Sequence, residues 1–414
     1  MNAPNESGFA FLGTGPVPVE PYVSQAYFEL ERERIFRAEW LNLAREEELP
    51  NPGDFVVRDI EACDASIILV RGEDGRVRAF HNICSHRGNR LVFAAQGSGS
   101  AFTCRYHGWS YALNGKVKTI TARERFPGID PAACALPAVH CDVWRGFVFV
   151  NLAAEPRQTL RGFLGGWGDF AERYPFERCT ARVDMRYTLN ANWKVTLDAF
   201  QETYHLGYLH LRTMRNMYFT PGDHGGSYLS ADLYGPHRRF SIWANPEHRV
   251  PESARVEHIA RRYGRNINAG SHAGSKAPAP ITDVCPGLNP TRDPKWAWDN
   301  AFVFPNMVIT FASELWIVSR FWPLAQDRTR WENFTYYPRP QTASERFSRE
   351  QGVAHLRDVA AEDVDTMEGT TRALKSRARQ WLNISDNEVG VRHMLHTVDR
   401  YVRGEAPVTE RAHG

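Results

Sequence analysis

Four residues in the first third of the chain have the types and spacing to hold metal. Cys84 and His86 stand in HNICSHRGNRL, and Cys104 and His107 stand in AFTCRYHGWSYALNGK, a CxH pair and a CxxH pair with residues 87–103 between them. Each loop carries one thiol and one imidazole. A structural zinc knuckle usually takes two thiolates from one turn, so this alternation is unusual for zinc. It suits a two-iron, two-sulfide cluster in which one iron takes both cysteines and the other takes both histidines, each loop supplying one ligand to each metal. Two neutral imidazoles in place of thiolates leave such a cluster less negative and raise its potential to roughly −150 to +300 mV. Gly88 and Gly108 follow the pairs, where a tight loop must bring backbone amides close to sulfide. The bland alternatives are a mononuclear zinc knuckle and unrelated buried Cys and His.

These segments also carry a resemblance. CSHRG and CRYHGWSY resemble the N-terminal cluster domain of the Rieske non-haem iron oxygenases, in their catalytic alpha subunit (the aromatic-ring-hydroxylating dioxygenase family), over residues from about 41 to 150. The resemblance implies a Rieske-type [2Fe–2S] cluster on Cys84, His86, Cys104 and His107. It also implies an α+β fold: an antiparallel β Rieske domain, then a catalytic domain whose antiparallel sheet is packed by helices in a helix-grip, START-like arrangement. The expected limits are 1–40 for a helical lead packing on the catalytic domain, 41–155 for the Rieske domain and 156–414 for the catalytic domain.

A cluster by itself describes an electron carrier, so the remaining chain must show chemistry of its own. In NANWKVTLDAFQETYHLGYLH, His205 and His210 are five apart, about 140° from each other on an ideal helix. Gly207 between them lets the helix loosen, and a π-type widening brings such positions into line. Two imidazoles and one carboxylate on one face of iron(II), with the other positions open, form the facial triad of oxygen-activating iron. On these residues alone, two ordinary half-buried histidines are an equal reading.

The segment is similar to the iron-binding motif of the same family, in which NWK opens the helix and a carboxylate stands three residues before the first histidine. Glu202 fills that place, nearly one turn from His205. The resemblance implies that Glu202 links His205 to His107 of a neighbouring subunit in a head-to-tail homotrimer and carries electrons between the centres. In AAEDVDTMEGTTRAL it aligns Asp363 with the iron-binding aspartate and Glu368 with a later acid, with Glu362 and Asp365 as the nearest competitors. Two departures bear on substrate: Asp198 stands where many relatives have Asn, and Thr370 and Thr371 stand where a Gln follows the later acid.

The elements that must position these residues are partly readable. Residues 24–49, with Tyr27, Phe28, Leu30, Ile35, Phe36 and Trp40 at helical spacing, predict an amphipathic helix. Short β-rich runs from Gly53 to Asn151 predict a small antiparallel β domain. ARVDMRYTL predicts a strand, TLDAFQETYHLGYLH a helix, and residues 301–338 an antiparallel meander. Residues 268–295 read as a surface loop, too poor in periodic apolar residues for core. The segment from Val353 to Ala378 reads as helix. Phe200, Leu206, Val303, Asn306, Met307, Trp316 and Phe321 are the candidate pocket residues.

Composition bounds the partners. The 414 residues hold 50 Lys and Arg against 48 Asp and Glu, a net charge of +2, which argues against nucleic acid or an anionic membrane as main partner. An odd count of seven cysteines and the lack of a signal peptide or apolar span point to a cytoplasmic protein with free or metal-bound thiols. Neither GTGPVP nor GSGSAF completes a dinucleotide motif. Electrons must then come from outside, through a flavin reductase, a ferredoxin or both, with a small beta subunit left open. The expected function is O₂ activation at mononuclear Fe(II), hydroxylating, dihydroxylating or demethylating an apolar aromatic or alicyclic substrate. The alternatives are a Rieske electron carrier without oxygenase activity and a zinc-stabilised module.

Overall fold

The structure is a computed structural model that describes residues 8–214, 217–218, 228–263, 285–312, 315–405 and 411–413. It forms two compact units, Leu30–Phe163 and Met1–Glu29 with Leu164–Gly414. No helix among the described residues is long and apolar enough to cross a membrane.

The first unit is an antiparallel sheet in the order Leu41–Arg45, Phe147–Asn151, Ala138–Trp144, Val77–His81, Ala65–Arg71, Asp54–Ile60, Gln96–Ser98, beside a three-stranded sheet of Phe102–Thr103, Ser110–Tyr111 and Val117–Thr119. The predicted long helix over 24–49 stops early. A helix over Gln25–Glu31 gives way to a widened turn at Arg32–Phe36, and Leu41–Arg45 is a strand. All five residues of that strand are buried, so it lacks the polar alternation that marks a half-exposed strand. The cluster-site loops sit over an apolar core that includes Ile68, Phe80, Trp109 and Tyr111.

The second unit is built on one eight-stranded antiparallel sheet. Its strands are β1 (Ala181–Leu189), β2 (Ser230–Tyr234), β3 (His237–Trp243), β4 (Trp296–Val303), β5 (Met307–Ala312), β6 (Trp316–Ala325), β7 (Arg328–Tyr337) and β8 (Arg411–His413), in the order β1-β7-β6-β5-β4-β3-β2-β8. The meander expected over 301–338 is part of it, and within AFVFPNMVITF a turn at residues 304–306 separates the end of β4 from β5. Three helices matter to the site: α1 (Trp193–Asp198), α2 (Ala343–Lys375) and α3 (Val389–Arg403). Most of the segment read as a surface loop lies outside the described residues. Its described end is mixed: Cys285, Leu288 and Asn289 are buried, whereas residues 290–292, 294 and 295 are exposed as expected of a surface loop.

The chain start is tied into this second unit. Tyr22 Oη donates to Asp198 (2.8 Å), Gln326 donates to the Tyr22 carbonyl (2.6 Å), and Arg392 on α3 donates to the carbonyls of Thr14 and Gly15. Asp198 replaces an expected amide, and burial pushes its carboxyl up to about 7, although the bond from Tyr22 and the charge of Lys194 work the other way.

Asn192 explains why NWK opens a helix. Its side chain caps α1 by accepting the Lys194 N–H (3.0 Å) and donates to the Gln326 carbonyl (2.6 Å), and its own N–H reaches Thr371 on α2 (3.2 Å). Glu368, also on α2, accepts from the Asn190 N–H at 2.8 Å. The two positions at the end of the acidic motif thus fasten α2 to the turn before α1. Replacing Asn192 with Ala removes a cap and strands a buried carbonyl, so we expect a loss of about 1–3 kcal/mol in urea unfolding. An unchanged midpoint would contradict this anchoring.

Candidate active site

The two Cys/His loops have the same backbone plan. In each, the cysteine N–H bonds the carbonyl five residues on, from Cys84 to Asn89 (2.9 Å) and from Cys104 to Trp109 (2.8 Å). The glycine four residues on returns its N–H to the cysteine carbonyl at 2.9 Å in both. Gly88 and Gly108 have φ of +73° and +74°, the left-handed region that closes such a turn without a Cβ penalty. The turns bring His86 and His107 together with ring centroids 4.5 Å apart, and Trp109 stacks on His86 at 5.1 Å.

The donor chemistry fits a two-iron cluster. His86 is held below the ordinary histidine value by burial and by His107 and Arg87, which disfavours the charged ring, and its buried Nδ1 has no hydrogen-bond partner among the described residues. Burial pushes the Cys84 thiol up; for Cys104 the burial cost is outweighed by the Tyr106 N–H and by Asn89, and its thiol is held low. Tyr111 takes the Ser85 N–H on its oxygen (2.9 Å) and lies 3.2 Å from Cys84 Sγ, to which, with Cys84 as a cluster thiolate, only the Tyr111 O–H can donate. A donor on a cluster thiolate favours the reduced state. With about 1.5 kcal/mol for a charge-assisted bond, Tyr111→Phe is expected to lower the cluster potential by on the order of 60 mV, read in an EPR-monitored titration. An unaltered potential would contradict that role.

In the second unit the predicted continuous helix over 196–210 is broken. α1 ends at Asp198, and a short 3₁₀ turn over Tyr204–Gly207 follows. Side-chain bonds to the backbone compete with the helical ladder here. Glu202 accepts the His205 N–H (3.1 Å), and Tyr228 donates to the Gln201 carbonyl (2.6 Å). The broken path, rather than a π-type widening, lets two histidines five apart converge.

His205, His210 and Asp363 each present one ligand atom, all within 4.8 Å of one another. Asp363 Oδ1 lies 3.2 Å from His210 Nε2 and 4.0 Å from His205 Nε2, yet has no hydrogen-bond partner among the described residues. His210 and Asp363 are almost fully buried. Burial disfavours a charged His210, but Asp363 and Glu362 outweigh it and hold the ring above its ordinary value. A buried carboxylate oxygen that completes no hydrogen bond among the described residues, with two imidazole nitrogens close to it, fits a divalent metal such as iron(II). Asp365 is exposed on the same helix and lies outside this group.

The far side of each ring is also held by a carboxylate. Glu202 Oε1 meets His205 Nδ1, and Glu362 Oε2 meets His210 Nδ1 at 2.8 Å. Glu362 is fixed in turn by Thr213 (2.5 Å) and Arg212 (3.3 Å). Carboxylates on the outer nitrogens fix which ring nitrogen faces the metal and raise its basicity. Sequence reasoning weighed Glu362 only as a rival ligand; its place one residue before Asp363 gave no sign of its partner.

A cavity of about 170 Å³ opens beside this group, and His205, His210, Asp363 and Glu202 line it. Its floor is one face of the sheet. Met185, Asn333, Ser319 and Val308 form one cross-strand row, with Ile317, Thr310 and Asn300 in the next. Ala312, Trp298 and Ile242 form a third. Of the predicted pocket residues, Phe200 and Leu206 line the cavity. Phe321 packs behind Phe200 and Trp331, at 5.4 and 6.1 Å between centroids. Val303, Asn306, Met307 and Trp316 are buried but absent from the lining. In β5 and β6 the cavity-facing set is Val308, Thr310, Ala312, Ile317 and Ser319, one residue out of phase with Met307 and Trp316.

Comparison with known proteins bears on both halves. A model of the ring-hydroxylating alpha subunit catalytic domain matches residues 176–404, more than half of the chain. This chain belongs to that family. The Rieske [2Fe–2S] domain model matches residues 39–137 of this ring-hydroxylating alpha subunit. The carnitine monooxygenase oxygenase subunit of Escherichia coli K12 is 34% identical over 197 residues, 47% of this chain and 52% of that protein. The chain thus spans about half the length of the curated relatives it matches. A quaternary ammonium Rieske monooxygenase has a similar structure, with a TM-score of 0.75 and 21% identity over 97% of this chain and 99% of that one. Naphthalene 1,2-dioxygenase from a Rhodococcus species, bound to indole, gives 0.70 and 21% over 95% of each chain. At those identities the likeness is one of fold.

Proposed function

We propose that this chain is the oxygenase component of a Rieske system, oxidising an apolar aromatic or alicyclic substrate with O₂. The observation that carries this reading is the buried convergence of His205, His210 and Asp363 on the wall of a largely apolar cavity, in a chain that also has a Rieske domain. An electron carrier has no use for that second site. Iron(II) with open coordination positions supplies oxygen activation, and the [2Fe–2S] cluster supplies single electrons.

In this reading Cys84, His86, Cys104 and His107 hold the cluster, and His205, His210 and Asp363 hold the iron. Glu202 and Glu362 keep the Nδ1 protons of the two rings and thereby fix their Nε2 atoms toward the metal. Glu202 also serves as the relay toward His107 of a neighbouring subunit in a homotrimer, as the family resemblance implies. The cavity walls exclude water and orient the substrate against the triad. We assign residues 41–155 to the cluster domain and 156–414 to the iron domain, with 1–40 as lead. A separate NAD(P)H-dependent flavin reductase, with or without a ferredoxin, would deliver electrons, and five further cysteines outside any disulfide support a cytoplasmic setting.

The test supplies a surrogate ferredoxin and reductase, ¹⁸O₂ and a panel of neutral ring compounds including indole and naphthalene. Oxygen-18 in a ring product is expected. Repeated reduction and reoxidation of the cluster with no labelled product from any of them would favour the carrier reading.

A further inference from the structure

Ser319 lies in the middle of β6 on the cavity floor and is 5% exposed. Its oxygen accepts two hydrogen bonds, from Trp331 Nε1 (3.2 Å) and Asn333 Nδ2 (3.1 Å). Both lone pairs are thereby used, and the hydroxyl proton has no acceptor among the described residues. A buried donor left unmade costs more than a satisfied one gains, so this proton must find its acceptor in the cavity.

The adjacent row points the same way. Asn300 Oδ1 is taken by the Thr310 hydroxyl at 2.7 Å, and the Asn300 amide makes only a long contact, 3.4 Å, to the Phe200 carbonyl. One amide N–H of Asn300, two strands across the floor from Ser319, therefore remains without a close partner among the described residues. On the floor, the Ser319 hydroxyl and one Asn300 amide N–H are thus left to donate. Among the described lining residues there is no Lys or Arg, and the acids are Glu202 and Asp363. A substrate carboxylate would meet no counter-ion there, and a charged group of that sign is costly to bury unpaired.

We propose that the substrate is a neutral ring compound carrying a hydrogen-bond-accepting oxygen, such as a ring ketone, and that Ser319 is the positioning residue that binds this oxygen. This rests on the cavity being the substrate site of the oxygenase reading above, and it narrows the apolar class given there. Trp331 and Asn333 hold the hydroxyl in one orientation, so the oxygen is fixed over the middle rows of the floor. The rest of the ring then packs on Val308, Ile317 and Phe200.

The test is a binding cycle on the holoprotein with 1-indanone and indane, two ring systems that differ in one carbonyl. Intrinsic tryptophan fluorescence reads binding directly, since Trp298 and Trp331 line the cavity. Ser319→Ala is expected to weaken 1-indanone by roughly five- to tenfold and to leave indane within about twofold, and the ratio of ratios cancels the different hydration of the two probes. Retained indane binding also shows that the variant keeps its cavity. Equal effects on both probes, or failure of the wild type to bind 1-indanone, would overturn the proposal. Unlabelled product under ¹⁸O₂ with the binding cycle intact would instead count against the oxygenase reading and leave the recognition of the carbonyl standing.

Discussion

Asp363→Ala is expected to abolish oxygen-dependent product formation while leaving the visible colour of the cluster untouched. Asp363 offers the one carboxylate oxygen that approaches both imidazoles, and that oxygen has no other partner among the described residues. Without it two neutral nitrogens remain, a weak set for a hard divalent ion. Loss of the metal removes several kcal/mol of transition-state stabilisation, on the order of a thousandfold in rate or more. Asp365→Ala is the matched control, since Asp365 is exposed on the same helix and expected to keep both iron and rate. The change should not unfold the protein, because α2 remains fastened through Thr371 and Glu368. If Asp365→Ala lost the iron and Asp363→Ala kept it, the triad would be misassigned.

Glu362→Ala is expected to weaken iron binding by about 10- to 100-fold without altering the ligand count. The carboxylate holds His210 by its outer nitrogen and is itself held by Thr213 and Arg212, so its removal frees the ring to turn and leaves its proton unpaired. Chelator competition reads the affinity, and the cluster spectrum serves as internal control. Glu202→Gln makes the informative contrast. The amide oxygen still accepts at His205 Nδ1, so iron should stay in place, whereas a relay that needs the carboxylate charge should slow in a single turnover. Unchanged iron affinity in Glu362→Ala would reduce that residue to a surface contact.

What could be read from the sequence followed locality. The Cys/His loops are short and self-contained, so their spacing alone marks Cys84, His86, Cys104 and His107 as candidate ligands and Gly88 and Gly108 as turn residues. His205 and His210 are close in sequence, but their spacing alone fits two ordinary histidines equally well, Glu202 is singled out only by the family resemblance, and the backbone that joins them is not the helix their pattern suggests. Glu362 touches a histidine 152 residues away, a pairing that exists only once α2 has folded over the sheet. The cavity floor was misread by one residue because β5 and β6 are buried on both faces, and without polar alternation nothing in the sequence fixes which parity faces the site. The same effect hid the strand Leu41–Arg45 inside an apparent helix. Ser319 was invisible for a related reason: a lone serine in an apolar strand gains meaning only from Trp331 and Asn333 on the next one.

The most direct test of the two-centre reading needs no substrate. Iron and acid-labile sulfide are measured per chain in the reconstituted protein. The expected result is about three irons to two sulfides, a cluster plus one mononuclear site, falling to about two and two in Asp363→Ala. Two irons and two sulfides in the wild type, with no further iron taken up when iron(II) is offered, would contradict it and leave an electron carrier.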